Sequence, residues 1–193
     1  MTAVRPMRLF IAINLPVEER RAIHEATAPV RESARAARWV HEELLHVTMK
    51  FLGERSESDI APLRVALEDV AMRHRAFAVE IDGVGAFPNW RSPRIVWMGV
   101  PESPALELLF HDVESACGAL GYAVEGRPFR PHITIGRLRT IPRPADARSL
   151  ASAARRVRFA GAVEVRSVDL MASEQTPAGP RYSAIAAPSL RSN

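Results

Sequence analysis

The stretch His46-Val47-Thr48-Met49 returns 86 positions later as His132-Ile133-Thr134-Ile135. In both copies polar and apolar side chains alternate with a period of two, the signature of a β-strand buried on one face. On each strand the imidazole and the hydroxyl therefore stand side by side on one face, while the aliphatic residues between them anchor the other face in a core. Across residues 44–53 (LLHVTMKFLG) the alternation points His46, Thr48 and Lys50 one way and Leu45, Val47, Met49 and Phe51 into the core, with Gly53 closing the strand. A repeat at nearly half the chain length predicts two related lobes, and a pseudo-twofold would bring the two His/Thr pairs face to face across a groove.

Outward from these strands, residues 8–15 (RLFIAINL) form a short apolar run ending at Pro16, a buried strand that leads into a helix over VEERRAIHEATA. Pro29 bends or ends that helix. Ser56 and Ser58 are candidate caps for a helix through about Arg75, with Ile60, Leu63, Leu67 and Val70 at helical spacing. FAVEIDGVGAF and RIVWMGV are strands on either side of the turn PNWRSP. From Pro104, an amphipathic pattern of Leu106, Leu109, Phe110, Val113, Ala116, Cys117 and Leu120 marks a helix stopped by Gly121. An arginine- and alanine-rich helix between Ala145 and Arg156 follows the second motif, and VRFAGAVEV, SVDLMAS and RYSAIAA close the chain as strands. No Gly-rich phosphate loop accompanies these elements, so the expected fold class is α+β with a mostly antiparallel sheet. Residues 1–193 are expected to form a single domain of two pseudo-symmetric lobes, with outer helices around a central groove.

The composition narrows the function classes. The chain has 193 residues, 47% of them apolar, enough to bury a sizeable core. Cys117 is the sole cysteine, which rules out an intramolecular disulfide and a multi-cysteine zinc site and fits a reducing compartment. Its ordinary reading is a small buried hydrophobe. The N-terminal segment MTAVRPMRLFIAINLP lacks the apolar length and cleavage site of a leader, and no stretch approaches the roughly 20 apolar residues of a membrane span. A cytoplasmic protein with no membrane association is expected. The net charge is +4, and the cations are 25 arginines against the single Lys50. Guanidinium groups bind phosphate bidentately, which suits a nucleotide or RNA substrate; biased codon usage would give the same scattered pattern.

Two histidines and two hydroxyls converging on one site fit the hydrolysis of a cyclic phosphodiester. Water must lose a proton on one side of phosphorus while the departing ribose oxygen gains one on the other. Imidazole can do either near neutral pH. Threonine hydroxyls can donate to the non-bridging oxygens, and Arg137 or Arg130 could balance the developing charge. No metal or other cofactor is expected, since carboxylates and histidines do not cluster at ligand spacing. His24, His41, His74 and His111 lack a hydroxyl partner at this spacing and are expected on the surface or on helix faces.

Taken with their flanks, RLFIAINLP, RWV with LLHVTMKFLG, GVGAFPN, RIVWMGV, RPFRPHITIGR and SVDLMASEQTPAGPRYSAI, the motifs resemble the bacterial and archaeal RNA 2',3'-cyclic phosphodiesterases. These are also called 2'-5' RNA ligases and belong to the two-histidine phosphoesterase superfamily. The resemblance implies a bilobal fold in which His46 donates a proton to the leaving 3'-oxygen and His132 accepts one from water, leaving a 2'-phosphate. It implies that Thr48 and Thr134 hold the phosphate oxygens and that Arg137 contacts phosphate or substrate. Plain alternation places Arg137 on the face opposite His132, so that role requires a bulge, a strand end or a long reach. Phe10, Trp39 and Tyr182 are candidates for stacking on a base, with a place in the core as the alternative for each.

The expected partners are RNA 3' ends or cyclic nucleotides as substrate, bound by a monomer with no obligate protein partner. Two other readings share the motifs. One is 2'-5' ligation of tRNA halves, the same chemistry run backward; the other is a non-catalytic module that binds nucleotides or RNA ends.

Overall fold

The computed structural model describes residues 7–177 and 179–192; the start of the N-terminal segment and Ala178 lie outside the described residues. In chain order the elements are β1 (Met7–Asn14), α1 (Val17–Ala26), α2 (Ala28–Ser33), β2 (Arg38–Trp39), β3 (His46–Arg55), α3 (Ile60–Ala71), β4 (Phe77–Phe87) and β5 (Ile95–Gly99). They continue with α4 (Pro104–Ala119), β6 (His132–Arg137), α5 (Pro144–Arg156), β7 (Ala160–Val165), β8 (Asp169–Thr176) and β9 (Gly179–Ala186). The strands form one sheet in the order β7-β4-β5-β6-β3-β1-β8-β9, with β2 beside β6. Each pairing between these strands is antiparallel, so the α+β expectation holds.

One face of the sheet carries the main core, where Ile11, Val47, Met98, Ile133 and Leu170 meet Leu63 and Leu67 of α3 and Leu106 and Leu109 of α4. On that side α3 packs against α4, and α2 against α5. A separate small cluster of Phe10, Ala12 and Met171, with Tyr182 against it, lies apart from this core. The two motif strands, β3 and β6, are neighbours at the middle of the sheet.

Both motif strands break their alternation at the same place. In β3, Ala12 pairs with Thr48 and Ile11 with Lys50, so Met49 is an extra residue. In β6, Trp97 pairs with Thr134 and Val96 with Gly136, so Ile135 is the extra one. A bulge of one residue turns everything beyond it to the opposite face. This corrects the expected faces of β3. Lys50 is buried against α4, whereas Phe51 is 73% exposed and lies 6.3 Å from Phe10, ring to ring. Gly53 likewise does not end the strand; at φ 78° it takes up a second irregularity, and β3 runs on to Arg55.

Two further expectations need correction. The helix after Ser56 ends at Ala71, short of Arg75. His74, just beyond it, is buried, and its Nε2 donates to Asp112 of α4 at 2.9 Å. The other three histidines without a partner hydroxyl are partly or fully exposed, as expected.

The sole lysine anchors the approach to the second motif. Lys50 Nζ donates to Glu114 Oε1 at 2.7 Å, to Oε2 at 2.8 Å and to the Ala123 carbonyl at 2.7 Å, and the Glu125 amide donates to Glu114 Oε2 at 3.0 Å. Burial of both charges makes the pair intolerant of losing one partner. Glu114→Ala is expected to lower the unfolding free energy by about 3–5 kcal/mol, the cost of an uncompensated buried ammonium. Urea titration measures it; a loss below about 1 kcal/mol, the ordinary worth of a surface pair, would show that the pair is not buried in solution.

Candidate active site

Val47 pairs with Ile133 in the antiparallel contact between β3 and β6. Counting outward from this pair, His46 stands opposite Thr134 and Thr48 opposite His132, all four on the face away from the core. The two imidazoles occupy a diagonal of this square, and diagonal positions on an antiparallel pair are roughly 7–8 Å apart. That gap can hold one phosphate group.

The local backbone fixes both rings in the same way. His46 Nδ1 donates to the Leu44 carbonyl at 2.7 Å, and His132 Nδ1 donates to the Arg130 carbonyl at 2.7 Å, each acceptor lying two residues upstream. A carbonyl can only accept, so Nδ1 carries the proton in both rings and each Nε2 is left to gain or lose one. The Leu44 carbonyl is presented by the short 3₁₀ turn Glu42–Leu44. His46 Nε2 lies 3.1 Å from Thr48 Oγ1, so the neutral ring accepts the threonine proton and the charged ring donates to the oxygen.

Each ring also sits in an aromatic frame. Phe10 and Tyr182 flank His46 at centroid distances of 5.1 and 5.5 Å. Phe87 and Trp97 flank His132 at 5.0 and 6.2 Å. Of the expected stacking residues, Phe10 is a buried floor and Tyr182 a half-exposed wall of the site face. Trp39 is framework: its ring covers Gly136, where a Cβ would collide with it, and its Nε1 donates to the Ala34 carbonyl at 3.1 Å. Phe87 and Trp97 were not singled out from the sequence, because an aromatic in an alternating strand has the same pattern as a core residue. Asn14, paired with His46 across β1 and β3, was missed as well; its amide donates to Asp169 Oδ2 at 2.6 Å.

The bulge at Ile135 settles the face of Arg137. After two consecutive buried residues, Ile135 and Gly136, Arg137 is exposed, and its charge bears on both imidazoles. The Arg130 side chain is exposed, and this residue reaches the site through its carbonyl. Burial lowers the pKa of His46 below its ordinary value; the Leu44 carbonyl opposes this, and His132 and Arg137 add to it by charge repulsion. Burial likewise lowers His132, opposed by the Arg130 carbonyl and reinforced by Arg137. Removing the cation should therefore raise both values. Titration by ¹⁵N NMR is expected to show two Nδ1–H tautomers with pKa values below about 6.5, both moving upward in Arg137→Ala; no movement in either ring would place Arg137 away from the site.

Residues 15–177 match the family model described as the 2'-5' RNA ligase superfamily. An RNA 2',3'-cyclic phosphodiesterase of Archaeoglobus fulgidus is 36% identical over 181 residues, covering 91% of this chain and 96% of the relative. An RNA 2',3'-cyclic phosphodiesterase of Geobacillus stearothermophilus is 41% identical over 128 residues, 66% of this chain but only 41% of that protein's length. Among solved structures, E. coli LigT complexed with 3'-AMP superposes with a TM-score of 0.73 at 30% identity, covering 96% of this chain and 99% of that one. No helix among the described residues is long and apolar enough to cross a membrane.

Proposed function

Because the chain belongs to the 2'-5' RNA ligase superfamily, we propose that it hydrolyses the 2',3'-cyclic phosphate at RNA ends to a 2'-phosphomonoester. The observation that carries this reading is the diagonal pair of imidazoles, each with Nδ1 tied to a backbone carbonyl and Nε2 turned to the same face. With phosphorus between the rings, His132 Nε2 takes a proton from water as its oxygen attacks. The bond from phosphorus to the 3'-oxygen breaks, and protonated His46 Nε2 delivers a proton to that oxygen. Acid and base have then exchanged protonation states and are reset through solvent. Thr48 and Thr134 donate hydroxyl hydrogens to the non-bridging oxygens, and the Arg137 guanidinium offsets the added charge. Thr48 leaves His46 Nε2 to do so, which frees that nitrogen for the 3'-oxygen.

In this reading one bilobal domain holds the whole reaction, each lobe supplying one motif. The lowered pKa values set its pH dependence. Productive free enzyme needs one charged and one neutral ring, so kcat/KM is greatest between the two pKa values, on the acid side of about 6.5. An optimum of kcat/KM above pH 7 would contradict the assignment. His46→Ala and His132→Ala are each expected to lower kcat by about 10²–10⁴-fold, the usual worth of a positioned acid or base, on 2',3'-cyclic AMP with EDTA present. Near-normal turnover by either variant, or a 3'-phosphate product, would sink the mechanism.

A further inference from the structure

Beyond the square of histidines and threonines, the described residues frame a cleft of about 590 Å³ lined by Arg35, Arg38, Arg139, Gln175, Thr176 and Gly179 among others. Three guanidinium groups and no carboxylate line it. All three arginines are exposed, and none forms an ion pair with a described carboxylate. Unpaired like charges gathered around one concavity repel each other, an arrangement that a bound anion relieves. Gly179, at φ 128°, lets the backbone come close to this cation: a Cβ there would stand 3.3 Å from Arg38 Nη2.

The cleft adjoins the site through β2 and β6 and shares strand β9 with it. Arg38 on β2 pairs directly with Arg137 on β6, and directly paired residues project from the same face of a sheet. Arg137 is the cation that bears on both imidazoles. The other wall, at Gly179, lies on β9, the strand that also carries Tyr182. Tyr182 stands beside His46.

We infer that this cleft is a second, phosphate-binding subsite, which holds the backbone of an RNA strand upstream of its cyclic end. The inference rests on the proposed hydrolysis and adds a substrate preference to it. A 2',3'-cyclic mononucleotide fills only the catalytic square, whereas an oligoribonucleotide also lays one or more phosphodiesters against Arg35, Arg38 and Arg139. The gain is electrostatic and independent of sequence, so it weakens with added salt.

The test compares the wild-type protein with the triple variant Arg35→Ala/Arg38→Ala/Arg139→Ala on two substrates, 2',3'-cyclic AMP and a single-stranded oligoribonucleotide ending in the same cyclic phosphate. The variant is expected to lose about tenfold or more in kcat/KM on the oligonucleotide, the scale of lost phosphate contacts, and to keep its rate on cyclic AMP. Equilibrium binding of the same RNA with a 3'-hydroxyl end is measured in parallel. Its log–log salt slope should shrink by about 0.7 for each phosphate contact removed. Equal rates of variant and wild type on the oligonucleotide, or an unchanged slope, overturn the subsite. Failure of the wild-type protein to hydrolyse either substrate would instead overturn the proposed reaction, while the binding slope would still decide the cleft.

Discussion

The pairing of Val47 with Ile133 is the constraint on which the site depends. An antiparallel register set by two buried aliphatic residues leaves no freedom in what stands on the opposite face. His46 and Thr48 meet Thr134 and His132 there, in a square with like residues on the diagonals. A slip of one residue would turn one pair into the core. The apolar packing of Val47 and Ile133, both buried, is therefore what holds the distance between the two imidazoles.

Each imidazole is then oriented by its own backbone and hemmed by its own aromatic pair. This divides the work of the site. The carbonyls of Leu44 and Arg130 choose the tautomer, the rings of Phe10, Tyr182, Phe87 and Trp97 confine the histidines, and burial with Arg137 disfavours the charged forms. The buried network of Lys50 and Glu114 ties α4 and the segment before the second motif to the strand that carries the first. Stability and site geometry thus share one set of contacts.

Much of this was legible in the chain because period-two alternation encodes facing directly. The placing of both His/Thr pairs on one face follows from positions 46–49 and 132–135 alone, and the mostly antiparallel sheet from the other alternating stretches together with the lack of a Gly-rich phosphate loop. What alternation cannot reveal is the residue that breaks it. Met49 and Ile135 are ordinary strand residues with nothing in their chemistry to announce a bulge, so alternation alone gives Lys50 and Phe51 each other's faces. Burial of Lys50 depends on Glu114, which is 64 positions away, and a lone lysine on a strand carries no sign of such a partner. Phe87 and Trp97 escaped for a related reason: what distinguishes a site aromatic from a core aromatic is the ring beside it in space, here His132.

The duplicated bulge has one more consequence, for chirality of approach. Counted from the motif histidines, Phe51 and Arg137 occupy the same position on their strands, so two strands that repeat one pattern end in an apolar disc on one side and a fixed positive charge on the other. A symmetric receptor would accept an asymmetric guest in either of two poses with equal affinity, and half of those encounters would set the wrong end against each imidazole. Unequal furnishing of equivalent positions removes that degeneracy, so a repeated motif can still tell the head of a ligand from its tail.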